Sequence, residues 1–152
     1  MKAVIVGVLW GASVSAAELT PFAFDASIAP GDRSRESQIR AAHEAIENGG
    51  GNRHAARLAI LYSMDGKTGA RWTMEEEGQG YVIARNDIKG NTLLVKVEYD
   101  ERYVQIKFHH GFDDFHCENL VGDYCYDNHR HYYNFVARLR KSIIKQLAEL
   151  NQ

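Results

Sequence analysis

The fold is decided by ARWTMEEEGQGYVIARNDIKGNTLLVKVEYDERYVQIKF, residues 70–108. Within it Leu93, Val95, Val97 and Tyr99 alternate with Leu94, Lys96 and Glu98, and Val104, Ile106 and Phe108 alternate with Tyr103, Gln105 and Lys107. A repeat of two marks strands with one buried face. Asp100, Glu101 and Arg102 separate these two runs, a connection so short that the strands must be antiparallel neighbours. Upstream, 71–75 and 81–85 flank a Gly78-Gln79-Gly80 turn, and 86–91 has the polar, glycine-containing composition of a further connection. The expectation is a four-stranded antiparallel meander. Trp72, Met74, Val82 and Ala84 add to its apolar face, which is too hydrophobic to stay wet and needs a cover.

The cover lies downstream. Tyr132, Phe135, Val136, Leu139, Ile143 and Leu147 recur at helical spacing, with Arg138, Arg140, Lys141 and Lys145 mostly on the other side, so a long C-terminal helix should pack on the sheet. Upstream, Ile39, Ala42, His43 and Ile46 share one helical face from Ser34 onward, with Asp32 or Ser34 as N-cap and Gly49 to Gly51 as stop. A second helix begins at Asn52, buries Ala55, Leu58, Ala59 and Tyr62, and stops at Gly66. The fold class is therefore α+β: two N-terminal helices, the meander and the C-terminal helix, forming a single domain over 34–152. Residues 18–33, which hold both prolines, read as an extended lead-in.

Residues 1–17 have one early cation, Lys2, an apolar run from Ala3 to Ala12, and small residues up to Ala17. This is the pattern of a secretory signal peptide. The run is too short for a spanning helix, so stable membrane insertion is not expected, and the protein should be periplasmic or secreted. Removing those 17 of 152 residues leaves enough chain for one core but not two. It also takes the formal net charge from −2 to −3, a balance that argues against nucleic acid as partner. Cations on the wet face of the last helix could serve an anionic membrane surface, but ordinary solvation explains them.

Several marks in sequence order resemble a family of small, functionally uncharacterised exported bacterial proteins, many of them lipoproteins. They are Trp72, Gly80 with Ala84, the run Asn91 to Tyr99, Tyr103 with Ile106, Asn119-Leu120, and a helix opening made by His129, Tyr132, Phe135, Val136 and Leu139. The chain departs at Tyr133, where the pattern usually has Asn, at Phe135, where it usually has Trp, and in having no lipid-accepting Cys behind the leader. The resemblance implies a compact periplasmic α+β domain and transfers no catalytic residue.

Unusual chemistry clusters in one place. His109, His110, His116, His129 and His131, together with Cys117 and Cys125, fall between 109 and 131 among Asp113, Asp114, Asp123 and Asp127. These are zinc and copper ligand types, although two cysteines eight apart match no zinc spacing. In an oxidising compartment the same cysteines pair as a disulfide, which would remove both thiolates from any metal site. The two readings compete. No nucleophile elbow, metalloprotease helix or phosphate loop is present. Asp113-Asp114 near His109-His110 could do acid/base work, but neighbouring charged residues in a loop are common, so the protein is not expected to be an enzyme. The sequence points to a non-enzymatic periplasmic binding or envelope-interaction module for an envelope protein or small ligand. The alternative is a metal-binding protein that uses the histidine-rich loop.

Overall fold

The structure, a computed structural model, describes residues 7, 18–65 and 71–152. Apart from Gly7, the expected leader lies outside the described residues, as does the Gly66 stop. In chain order the elements are helix α1 (Glu36–His43), strand β1 (Ile46–Glu47), helix α2 (Arg53–Ser63), strands β2 (Thr73–Gly78), β3 (Tyr81–Ile88), β4 (Asn91–Tyr99) and β5 (Tyr103–Gly111). A single 3-10 turn (Asp113–Phe115), strands β6 (Asn119–Val121) and β7 (Tyr124–Asp127), and helix α3 (Arg130–Leu150) complete them.

The protein is α+β, with α3 packed on an antiparallel sheet. That sheet has five strands rather than four, in the order β1-β5-β4-β3-β2. The extra strand comes from the first helix ending early. Ile46, expected on that helix, instead pairs with Val104 of β5 and is buried all the same. A chain leaving α1 at Glu44 satisfies the free edge of β5 without exposing its isoleucine. The helix also starts later than expected, at an extended Arg35 whose N–H donates to the Gln38 side chain. Asn52 caps α2 as expected, its side-chain Oδ1 accepting from the N–H groups of His54 and Ala55. The β3–β4 connection is tighter than the composition implied. Only Lys89 and Gly90 lie between the strands, both at positive φ (49° and 82°), which suits the twist of a two-residue hairpin.

The core is one contiguous cluster between the sheet and the three helices. Val82, Ala84, Leu93, Val95, Val97 and Ile106 meet Tyr132, Val136, Leu139, Ile143 and Leu147 of α3, with Ile39 from α1 and Ile60 from α2. Each such valine, leucine or isoleucine contributes about 1.5–3 kcal/mol through burial. Trp72 joins them, while Phe135 only borders the cluster. Met74 departs from expectation: it pairs opposite buried Ala84 yet is 50 % exposed, on the edge strand β2.

The stretch after β5, expected to be irregular, holds the β6–β7 hairpin. Gly122 turns it at φ +60° and the Cys117–Cys125 disulfide closes it, with a Cα–Cα distance of 5.9 Å. Strands of three and four residues are too short for their alternation to stand out from a loop.

Candidate functional site

The expected lead-in is a strap fixed to the body of the fold. It has no ladder of its own, and within residues 18–25 three N–H groups donate to distant side chains instead. Leu19 donates to Asp100 Oδ2 (3.0 Å), Phe22 to Gln105 Oε1 (2.8 Å) and Asp25 to the Tyr126 hydroxyl (2.9 Å). The acceptors are buried, with Asp100 5 % exposed, Gln105 0 % and Tyr126 1 %. By alternation Gln105 belongs to the outward face of β5, and the strap is what encloses it. Its amide orientation is fixed because Nε2 must donate to two carbonyls, those of His43 (2.6 Å) and Ile106 (3.2 Å). Asp100 also accepts from the N–H groups of Arg102 and Tyr103, both at 2.7 Å. Burial pushes its carboxyl up, but these donors outweigh burial and hold it below the usual carboxylate range.

Aromatic rings make the rest of the contact. Phe22 lies 4.5 Å from Tyr124 between ring centres, Phe24 stacks on Tyr126 at 5.1 Å, and the Arg40 guanidinium lies 5.2 Å over the Phe24 ring. Farther along, Ser34 donates to the Tyr126 carbonyl and Arg33 pairs with Asp127 at 3.5 Å.

At its amino-terminal end the strap borders a cleft of about 430 Å³ on the outward face of the sheet, lined by Glu18, Leu19, Thr20 and Arg53 with Gln79, Tyr81, Lys96, Glu98 and Lys107 among others. Lys107 reaches Glu98 (3.1 Å) and Asp123 (3.3 Å), and Lys96 reaches Glu98 (3.5 Å) while lying 4.7 Å over the Tyr81 ring. Burial works against the charged form of Lys107, but Glu98 and Asp123 prevail and raise its pKa.

Beneath Phe22 sits His43, fully buried. Its Nδ1 is 2.9 Å from the Ile106 carbonyl and its Nε2 2.9 Å from the Tyr132 hydroxyl. A carbonyl can only accept, so Nδ1 carries the proton and Nε2 accepts from Tyr132. Burial pushes the His43 pKa down to about 4, and the Ile106 hydrogen bond only partly offsets this.

The histidine-rich segment is dispersed by comparison. His109 and His110 are exposed near the end of β5, where His110 packs on Phe112 with ring centres 4.5 Å apart. His116 is exposed behind the 3-10 turn. Only His129 and His131 meet, with ring centres 4.7 Å apart. They border a cleft of about 330 Å³ that Lys89, Asn91 and Asp114 also line. His129 is the N-cap of α3, its Nδ1 accepting from the His131 N–H at 3.2 Å. Partial desolvation together with His129, Arg130 and Lys89 holds His131 below its ordinary pKa. Among the described residues no three His, Cys, Asp or Glu side chains gather closely enough to hold a metal ion. Both thiols are in the disulfide, and Asp113-Asp114 form the 3-10 turn.

Sequence reasoning missed the strap and its acceptors. The available signal was Asp100, Gln105 and Tyr126 themselves, polar atoms on segments flanking the sheet, but their convergence depends on pairings separated by 81 to 101 residues. Among the described residues no helix is long and apolar enough to cross a membrane. No family model, curated protein or solved structure matches the chain.

Proposed function

We propose that the protein is a non-enzymatic binding module of the cell envelope, periplasmic or secreted once residues 1–17 are removed, whose partner is an envelope protein or a small ligand. The observation that carries this reading is the cleft beside the strap. It presents cations, carboxylates and tyrosines together, a set suited to recognition by charge and hydrogen bonding. Lys107 is held more firmly protonated there, and His43, the buried imidazole nearby, is enclosed and neutral. The disulfide, a bond that persists in oxidising compartments, supports the location. The formal charge of −2 favours a partner other than nucleic acid.

Gln79 is exposed and lines the cleft, so a photo-crosslinking residue can replace it without breaking an ion pair. In a bacterial envelope we expect a discrete adduct of defined mass from position 79 and none from exposed Lys141 on α3. Identical adducts from both positions, or none from either, would count against the reading. A metal-binding role is the second reading, and the meeting of His129 and His131 at one cleft favours it.

A further inference from the structure

The strap is held in the way that proteins hold a peptide. Within residues 18–25 its bonded N–H groups belong to Leu19, Phe22 and Asp25, three residues apart. The segment forms no ladder and is held through side chains, as a bound extended peptide is, and Pro21 favours such an extended conformation. Polyproline II segments have no internal hydrogen bonds and are recognised on aromatic surfaces. Here Phe22 and Phe24 sit against Tyr124 and Tyr126.

The walls of this groove do not depend on the strap for their own positions. Gln105 lies in β5, between β1 and β4, and Asp100 closes the β4–β5 turn. Tyr124 and Tyr126 lie on β7, pinned by its ladder and by the disulfide. With the strap absent, Gln105 Oε1, Asp100 Oδ2 and the Tyr126 hydroxyl would each lose a donor and still point into the groove. Water can meet these acceptors once the strap has left, so the groove favours an extended chain through the re-covering of its aromatic wall, Tyr124 and Tyr126. The strap joins the body through largely exposed residues 26–33, with a turn at 26–28 and Gly31 at φ +136°.

We propose that the strap is a built-in stand-in, and that its groove receives an extended, proline-containing peptide with aromatic side chains two residues apart, supplied by another exported protein. Binding in trans requires the strap to leave, so its affinity is lowered by the fraction of time the groove is occupied in cis. This inference rests on the binding-module reading. A photo-adduct at position 79 without peptide binding would remove this inference alone.

The test uses the full chain and a fluorescent octapeptide with the sequence of residues 18–25. Phe22→Ala with Phe24→Ala weakens the stand-in and leaves the groove intact, so that variant should bind the peptide at least about 10-fold more tightly than the unaltered chain. Adding Gln105→Ala should reverse the gain by a similar factor. In the unaltered protein, saturating peptide should move the Leu19, Phe22 and Asp25 amide resonances toward unstructured positions, and this measurement decides alone if the variants fail to fold. Equal binding by both chains, no loss with Gln105→Ala, or strap resonances that stay in place would each overturn the proposal. So would light scattering that shows strap exchange between two copies instead of peptide capture.

Discussion

Residues 109–131 hold five of the seven histidines and both cysteines, yet the fold gives these side chains separate local tasks: a helix cap, a hairpin staple and exposed positions on a strand end and behind a turn. Residues 18–25 hold no histidine or cysteine, and three buried acceptors from distant parts of the chain converge on them. Conspicuous residue types close together in sequence need not meet in space, because a loop scatters neighbours. Ordinary residues far apart can form a built site when a sheet brings them together. Convergence of buried polar atoms is the better guide to recognition, since leaving them unpaired is expensive.

Both regions rest on the same core, which supplies the largest expected effect. Leu139→Ala should cost about 2–5 kcal/mol in urea unfolding, since Leu139 is 1 % exposed under the sheet. A loss below about 0.5 kcal/mol would place α3 elsewhere.

Acid should act next, and on the strap side. His43 is neutral when folded, with its pKa down to about 4, and unfolding restores the ordinary 6.5. The unfolded chain therefore binds the proton first, so stability is full above pH 6.5 and falls as pH drops toward 4. The loss is about 3 kcal/mol. Denaturant titrations of the unaltered chain and of His43→Gln should differ in slope across that window, and parallel curves would show that His43 is not sealed.

The disulfide links the two regions, because the hairpin it closes carries Tyr124 and Tyr126. Replacing Cys117 and Cys125 by Ala should cost about 2.5 kcal/mol on the loop-closure estimate and loosen the strap. A normal strap on a destabilised body would show the two regions to be independent.

The smallest effect is expected where the sequence looked richest. Zinc or copper(II) should bind the oxidised protein no more tightly than about micromolar, and His129→Ala with His131→Ala should change the titration little. A nanomolar, one-to-one site abolished by those changes would promote the metal-binding reading.

The meander was legible because β4 and β5 alternate clearly on either side of a short turn, and α3 because its stripe repeats through the whole helix. β1 was not, since two residues carry no period and Ile46 suits either a helix face or a strand edge. β6 and β7 were too short, although the pairing of Cys117 with Cys125 was expected from their number and the leader. At the candidate site, the five histidines could be named from the sequence, but their dispersal could not. Asp100 and Gln105 were legible only as a turn residue and a wet-face residue, because what buries them is a strap some 80 residues upstream.

The most direct measurement is single-residue hydrogen exchange along the strap of the unaltered protein. The amides of Leu19, Phe22 and Asp25 should be protected about 100-fold or more over free-chain rates, while Thr20 and Ala23 exchange nearly freely, giving protection every third residue. Uniformly fast exchange from 19 to 25, or protection on alternate residues, would contradict a strap read by Asp100, Gln105 and Tyr126.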